Sequence, residues 1–504
     1  MTTISTQVRL AQQLRSLGST PVAASRPVPR TTSATAQASP TQGATVVSLS
    51  AAGLQAASGA VAAGATVVDY TDRIKSSSQK TINALLAGGN RWFHTSGASG
   101  ETPSACARHE LTVSFMDNTV GLNALDANGF QALTQAQRDD VMDALGTISG
   151  VVNLRFTEVA SGGDIQFGSN NQASSAGYAR YPNEGSQVML ANNQGSFAGS
   201  WDPGTYEWQT VIHETAHALG LKHPGNYNAG GGGTPGPYLS KAADHRGNTI
   251  MSYNNPASLK RISYNGSSFS SSTVNPSTLQ GYDIAALQYL YGAPTSAQAA
   301  TYSWEAGQAL SQTIWNANSA SAIDLSNQTL NNQVDLRAGH FSSIAQRDAY
   351  ADMGPFDKVA YGRATSGGRK LSAILGVPGY TGKNNLLIAQ GSHINRATGG
   401  SGNDTVITNA DGNTVDGGGG NDAIFYSGGA ASFQGGSGDD TVYLLKKTGT
   451  TWTLSDDRST ATWTQRNART GVVTTLGTVA LSNVEHVKFW NGSALKSTGV
   501  ALVA

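Results

Sequence analysis

A single cysteine, Cys106, stands among the 504 residues. No disulfide can form within the chain, so stability in an oxidising compartment has to come from packing or from bound metal. Charge is equally scarce: Asp, Glu, Lys and Arg make up 13% of the chain and cancel to a formal net charge of zero. A neutral chain carries no electrostatic footprint for nucleic acid or for an anionic bilayer, and neither partner is expected. Nowhere do about 18 uncharged apolar residues run together, as a membrane-spanning helix requires. The opening MTTISTQVRLAQQLRSLGST has no apolar stretch of the kind found in a cleavable signal peptide. A cytosolic enzyme is the plain reading of that opening, and export by a route that reads some other part of the chain is the alternative.

Glycine, by contrast, is abundant at 60 residues, and Ser, Thr and Asn fill much of the remainder, a composition of loops and strands rather than of helical bundles. The length calls for two or three domains. Residues 1–62 are rich in Ala, Ser, Thr and Gln with almost no aromatics; this composition cannot bury enough apolar surface to fold, and a disordered leader or propeptide is expected. From Val67 to Tyr291 the texture is that of a folded core. Glu110–Met116 alternates as a strand, and Thr134 is placed to cap a helix through Gln135–Ile148, with Val141, Leu145 and Ile148 on one face. Short strands are expected at Asn153–Val159, Asp164–Phe167, Gly177–Tyr181 and Gln187–Leu190, followed by a helix from about Glu207 to Leu221. That order fits an α+β domain.

The helix carries HETAHALGLKH, the pattern H-E-x-x-H-x-x-G-x-x-H. His213 and His217, four apart, lie one above the other on a helix and can reach one ion. Gly220 can turn the chain in a left-handed conformation and bring in His223 as a third ligand. Three protein ligands leave a position open, as in catalytic rather than structural zinc sites, and Glu214 is placed as general base. Downstream, Met251-Ser252-Tyr253 completes the metzincin signature with its Met-turn. His94, His109, His245, His340, His393 and His486 show no ligand spacing, and Cys106 reads as an ordinary small thiol.

Three nonapeptides follow, GGSGNDTVI at Gly399, GGGGNDAIF at Gly417 and GGSGDDTVY at Gly435, each eighteen residues after the last. All fit G-G-x-G-x-D-x-U-x, the calcium-binding repeat of parallel β-rolls. The residues singled out for calcium are Gly400, Gly402, Asp404, Gly418, Gly420, Asp422, Gly436, Gly438 and Asp440: glycines for unusual turns, aspartates for hard oxygen ligands. Val406, Ile424 and Val442 are expected to point inward, as is Val415 in a weaker copy. Without calcium the facing aspartates are expected to repel.

HPGNYNAG after the third ligand, the MSY turn, WFH, ELTVSF, FTEV, DIQFG, ARYP and YDIAALQYLYGA together resemble the serralysin family of bacterial metallopeptidases. IDLSNQT, VDLRAGHFSSI and ALSNVEHVKFWNGS extend the likeness into the second half. The resemblance implies an α+β metzincin catalytic domain followed by a parallel β-roll, with one catalytic zinc and several structural calcium ions. It also implies Met251 as an apolar floor under the zinc, Tyr253 as a further zinc ligand that swings to the oxyanion, and an edge strand, Gly177, Tyr178, Ala179, Arg180 and Tyr181, that pairs with extended substrate.

The domains implied are 1–62 leader, 63–293 metallopeptidase, 294–445 connection and β-roll, and 446–504 C-terminal β cap with a type I secretion signal. Partners expected are protein and peptide substrates, a proteinaceous inhibitor and the type I secretion machinery, for an extracellular enzyme made as a zymogen. The family's glycine-aspartate turns in the 290s to 320s are replaced here by TSAQAA and NSASA, and GVALVA at the end has no preceding acid. A calcium-dependent surface protein and a narrow toxin-like protease are the competing readings.

Overall fold

The structure is a computed structural model. It describes residues 80–490 apart from 89–90, 93–108, 183–185, 195–196, 198, 200, 229–230, 265–268, 295–296, 347–364, 367–368 and 371–379. The expected leader, His94, Cys106 and the expected export segment lie outside those residues.

The first half is built on one sheet of β1 (His109–Phe115), β2 (Leu154–Glu158), β3 (Ile165–Asn170), β4 (Gly177–Ala179) and β5 (Ser186–Ala191). Its spatial order is β2-β1-β3-β5-β4. The first four neighbours run parallel, and only β4, at the edge, is antiparallel, pairing Tyr178 with Met189. Parallel pairing demands a crossover, and helix Gln135–Val151 supplies it between β1 and β2. Thr134 caps that helix: its hydroxyl accepts from Gln137 N at 3.3 Å, and Gln137 Oε1 accepts from Thr134 N at 3.0 Å. Val141, Leu145 and Ile148 are buried as their spacing predicts, each contributing roughly 1.5–3 kcal/mol. The helix runs one turn beyond the expected end, because the Val152 amide still finds the Ile148 carbonyl at 2.9 Å.

The second helix, Tyr206–Ala218, starts where Thr205 accepts from Trp208 N at 3.1 Å, and every side chain from Glu207 to Ala218 is buried. It ends at Gly220, whose φ of +102° a side chain would strain, and Leu221 N closes back on Ala216 O at 2.9 Å. A third helix, Gly281–Tyr291, is apolar nearly all round and buried, and packs in the same core.

Among the described residues after Tyr291 the regular elements are all strands, around a second core. One sheet of five parallel strands contains Gln333–Asp335, Thr405–Ile407, Ala423–Phe425, Thr441–Leu445 and His486–Trp490. A larger sheet holds Ser321–Asp324, Ile394–Thr398, Thr414–Asp416 and Ala431–Gln434 in parallel. Val473–Ser482 adds to it in parallel beside Ala431–Gln434, and Thr460–Arg466 and Thr450–Leu454 then follow antiparallel. Val406, Val415, Ile424 and Val442 all point into the core between the sheets at 1% exposure or less.

Candidate active site

The turn at Gly220 brings His223 back onto the helix face that carries His213 and His217. The Nε2 atoms of His213 and His217 lie 3.2 and 3.1 Å from Nε2 of His223, so all three lone pairs converge on one point. The opposite ring nitrogens set the tautomers. His213 Nδ1 donates to Ile250 O at 2.8 Å and His217 Nδ1 to Leu221 O at 2.7 Å, leaving each Nε2 free to bind metal. Burial holds all three rings neutral: His213 well below its ordinary pKa, His217 down to about 4, and His223 down to about 3 with His217 adding to the effect.

Glu214 sits one residue from the first histidine and is buried. Burial pushes its pKa up to about 8, and its Oε2 has no hydrogen-bond partner among the described residues. Strand β4 passes directly over it. A Cβ at Gly177 would lie 2.8 Å from Glu214 Cγ, so only glycine leaves room for the carboxylate. Beyond the strand, Tyr181 meets His217 edge-on at 5.9 Å.

The expected edge segment is therefore beside the three histidines. The strand itself is shorter than the five residues expected, ending at Ala179, although Arg180 N still donates to Gln187 O at 3.0 Å. Tyr178 donates its hydroxyl to Asp126 Oδ1 at 2.6 Å, and Arg180 pairs with Asp126 Oδ2 at 2.6 Å. These two side chains are committed to the fold, so the strand's free edge offers backbone.

Tyr253, 41% exposed, stands over the histidines, its ring 4.6 Å from His223 and stacked 6.1 Å from His213. Burial and the Glu214 charge raise its pKa to about 12, so the phenol stays protonated. Met251 is fully buried in the core that backs the helix.

Four supporting residues were not found by sequence reasoning. Asp283 accepts from Thr249 Oγ1 at 2.5 Å, Ile250 N at 2.8 Å and Gln280 N at 2.9 Å, fixing the segment whose Ile250 carbonyl orients His213. Its only sequence signal is its place three residues after the helix cap, Gln280. Tyr227 stacks on Tyr253 at 4.9 Å and donates to Asp244 Oδ1 at 2.7 Å, which Ser252 also reaches at 2.6 Å. Lys222 donates to Ala84 O at 2.6 Å and Pro237 O at 2.9 Å, tying down the chain beside His223.

Three neutral imidazoles on one point, each Nε2 cleared by a fixed tautomer or by burial, fit a zinc ion with one open position. Residues 67–265 match the family model described as Metallo-peptidase family M12. The chain is similar to the metallopeptidase AprA of Pseudomonas marginalis, at 30% identity over 60% of this chain and 60% of that protein. It is also similar to the serralysin of Proteus mirabilis, at 30% identity over 47% of this chain and 53% of that one. Serralysin G of Dickeya chrysanthemi is 29% identical over 60% of each. Residues 67–265 form a metallopeptidase domain that is similar to the serralysins. The chain spans about 60% or less of the length of these curated relatives.

Outside the metallopeptidase domain, the aspartates of the three repeats form one ladder. Asp404 N donates to Asp422 Oδ1 at 2.7 Å and Asp422 N to Asp440 Oδ1 at 2.8 Å, each across eighteen residues. Gly418, Gly420, Gly436 and Gly438 all have positive φ, and a Cβ at Gly400 or Gly402 would collide with the backbone at Gln328 or Leu330. His109, His245, His340, His393 and His486 are not part of the three-histidine cluster.

Proposed function

We propose that this chain is a secreted zinc-dependent endopeptidase that cleaves extended protein segments with broad sequence preference. The observation that carries the reading is the unpartnered, buried Glu214 Oε2 beside three converging Nε2 atoms, under a strand that has only glycine above it. His213, His217 and His223 would hold the zinc, which when bound supplies Lewis acidity, bringing a water's pKa down to about 7 and polarising the scissile carbonyl.

The residues supply the rest. β4 accepts the substrate as a further antiparallel strand through backbone hydrogen bonds, which favours shape over sequence. Glu214, its carboxylate beside the three histidines, takes the proton released from the attacking water and hands it to the leaving amine. The protonated Tyr253 phenol is placed to donate to the developing oxyanion.

The proposal extends to the remaining regions. Parallel pairings at an eighteen-residue step support a calcium-binding β-roll within 294–445, followed by the 446–504 cap. The 1–62 leader of a zymogen, type I export without a signal peptide and capture by a proteinaceous inhibitor rest on the resemblance. Casein hydrolysis by the native chain and by Glu214→Ala, each with zinc and calcium, tests the reading. Cleavage by the native chain alone, abolished by a chelator, is expected. A zinc-loaded, folded native chain that cuts no unfolded protein overturns the reading in favour of a calcium-dependent surface protein.

A further inference from the structure

At the C-terminal end of the aspartate ladder the sequence period stops while the geometry goes on. Eighteen residues past Asp440 stands Arg458, on the excursion through the antiparallel strands. Yet Val473–Ser482 and His486–Trp490 continue the two parallel sheets, and the short turn between them repeats the contacts of a glycine-rich turn. Gly435 N donates to Ser482 O at 3.0 Å, as Gly417 N does to Gln434 O at 2.9 Å. His486 N donates to Asp440 O at 2.9 Å, as Thr441 N does to Asp422 O at 2.8 Å. Asp440 N donates to Glu485 Oε2 at 2.8 Å, as Asp422 N does to Asp440 Oδ1. Glu485 therefore occupies the place of one more ladder aspartate.

The same space opens beside it. A Cβ at Gly417 would fall 2.4 Å from Asp422 Oδ2 and onto the Gly435 carbonyl oxygen; at Gly435 it would fall 2.6 Å from Asp440 Oδ2 and onto the Asn483 carbonyl oxygen. Asp422 and Asp440 are 3% and 1% exposed, and each Oδ2 is buried with no hydrogen-bond partner. A buried carboxylate oxygen without a donor costs free energy, which a bound cation relieves while keeping the group ionised. The other end of the ladder is closed differently. Asn332 donates from N and Nδ2 to Asp404 Oδ1 at 2.7 and 2.9 Å, and Gly400 N donates to Asp404 Oδ2 at 2.6 Å.

We propose that the array holds a calcium site beyond those its repeats define, formed at the C-terminal end by Asp440 Oδ2, the Asn483 carbonyl and the Glu485 carboxylate. The proposal rests on the reading of the repeats as calcium sites. Two carboxylates and a carbonyl are the hard oxygen donors calcium prefers, with water completing the shell. An ion there joins the strand His486–Trp490 to the array.

Calorimetric titration of the full chain with calcium chloride, native and Glu485→Gln, tests this. The glutamine keeps an oxygen for the Asp440 amide and removes only the charge, so a purely structural role for Glu485 would survive it. Loss of one tight site, or weakening of one site by about tenfold or more, is expected. Unchanged number and affinity in Glu485→Gln overturns the terminal site and leaves the repeat sites standing; no calcium uptake by the native chain overturns both. Hydrogen exchange on the native chain needs no variant to fold. Residues 480–490 are expected to gain protection with calcium, and unchanged protection there, with protection gained at 399–440, overturns the proposal alone.

Discussion

On the proposed reading, Glu214 works as the base in the space that Gly177 leaves beside it. The carboxylate needs a neighbour without a Cβ, and Gly177 is that neighbour. Gly177→Ala is expected to lower kcat with zinc content unchanged, as read by atomic absorption alongside peptide hydrolysis. Glu214→Gln removes the base and is expected to lower kcat by about 10²–10⁴, again with zinc retained. Tyr253→Phe keeps the ring stacking on Tyr227 and removes only the donor, so a loss of about 10² in kcat with little change in KM is expected. The clustering of His213 and His217 was legible because helix geometry converts a spacing of four into adjacency. Gly177 was read as part of an edge strand and not as a spacer, since its reason lies in a side chain thirty-seven positions away. Asp283, Tyr227 and Asp244 were illegible for the same reason: each acts across a gap that no local period spans.

Elements report how local chemistry adds up. The capped helix Gln135–Val151 was legible because cap and apolar stripe agree, whereas Gly281–Tyr291 has no polar face to give it a period. The hairpin Lys260–Tyr264 with Phe269–Thr273 was not foreseen, its strands being too polar and short to signal. Asp283 links the last helix to the Met-turn, and Asp283→Ala leaves three donors without an acceptor. A loss of about 3 kcal/mol or more in urea unfolding is expected. The glycine-rich turns carry a pH signature. Burial first, and then the charges of Asp404 and Asp440, raise the Asp422 pKa from 3.8 to about 7. The folded array therefore binds more protons than the unfolded chain between those values, and without calcium its stability falls as pH rises from about 4 to about 7. Thermal melts across that window are expected to show the decline in chelator and to lose it when calcium is added.

At the scale of the whole molecule, the described residues form two cores, one under the mixed sheet and one between the parallel sheets. Calcium binds only the second on the proposed reading, so scanning calorimetry is expected to show two transitions, of which one moves upward with calcium concentration. A single transition that ignores calcium would contradict the proposed array. The division into two cores was visible in the change of texture near Tyr291. The return of the chain to extend both sheets after the antiparallel excursion was not visible, because the period is broken there and only spatial neighbours restore it.

The edge strand beside the histidines has its Tyr178 and Arg180 side chains anchored on Asp126 and its backbone facing outward. A target held in a compact fold has no matching stretch of main chain to lend. On the proposed function, the speed of its destruction is governed by how often it opens locally, a property of the victim's own energy landscape, and marginally stable proteins are expected to be consumed before rigid ones irrespective of their residues.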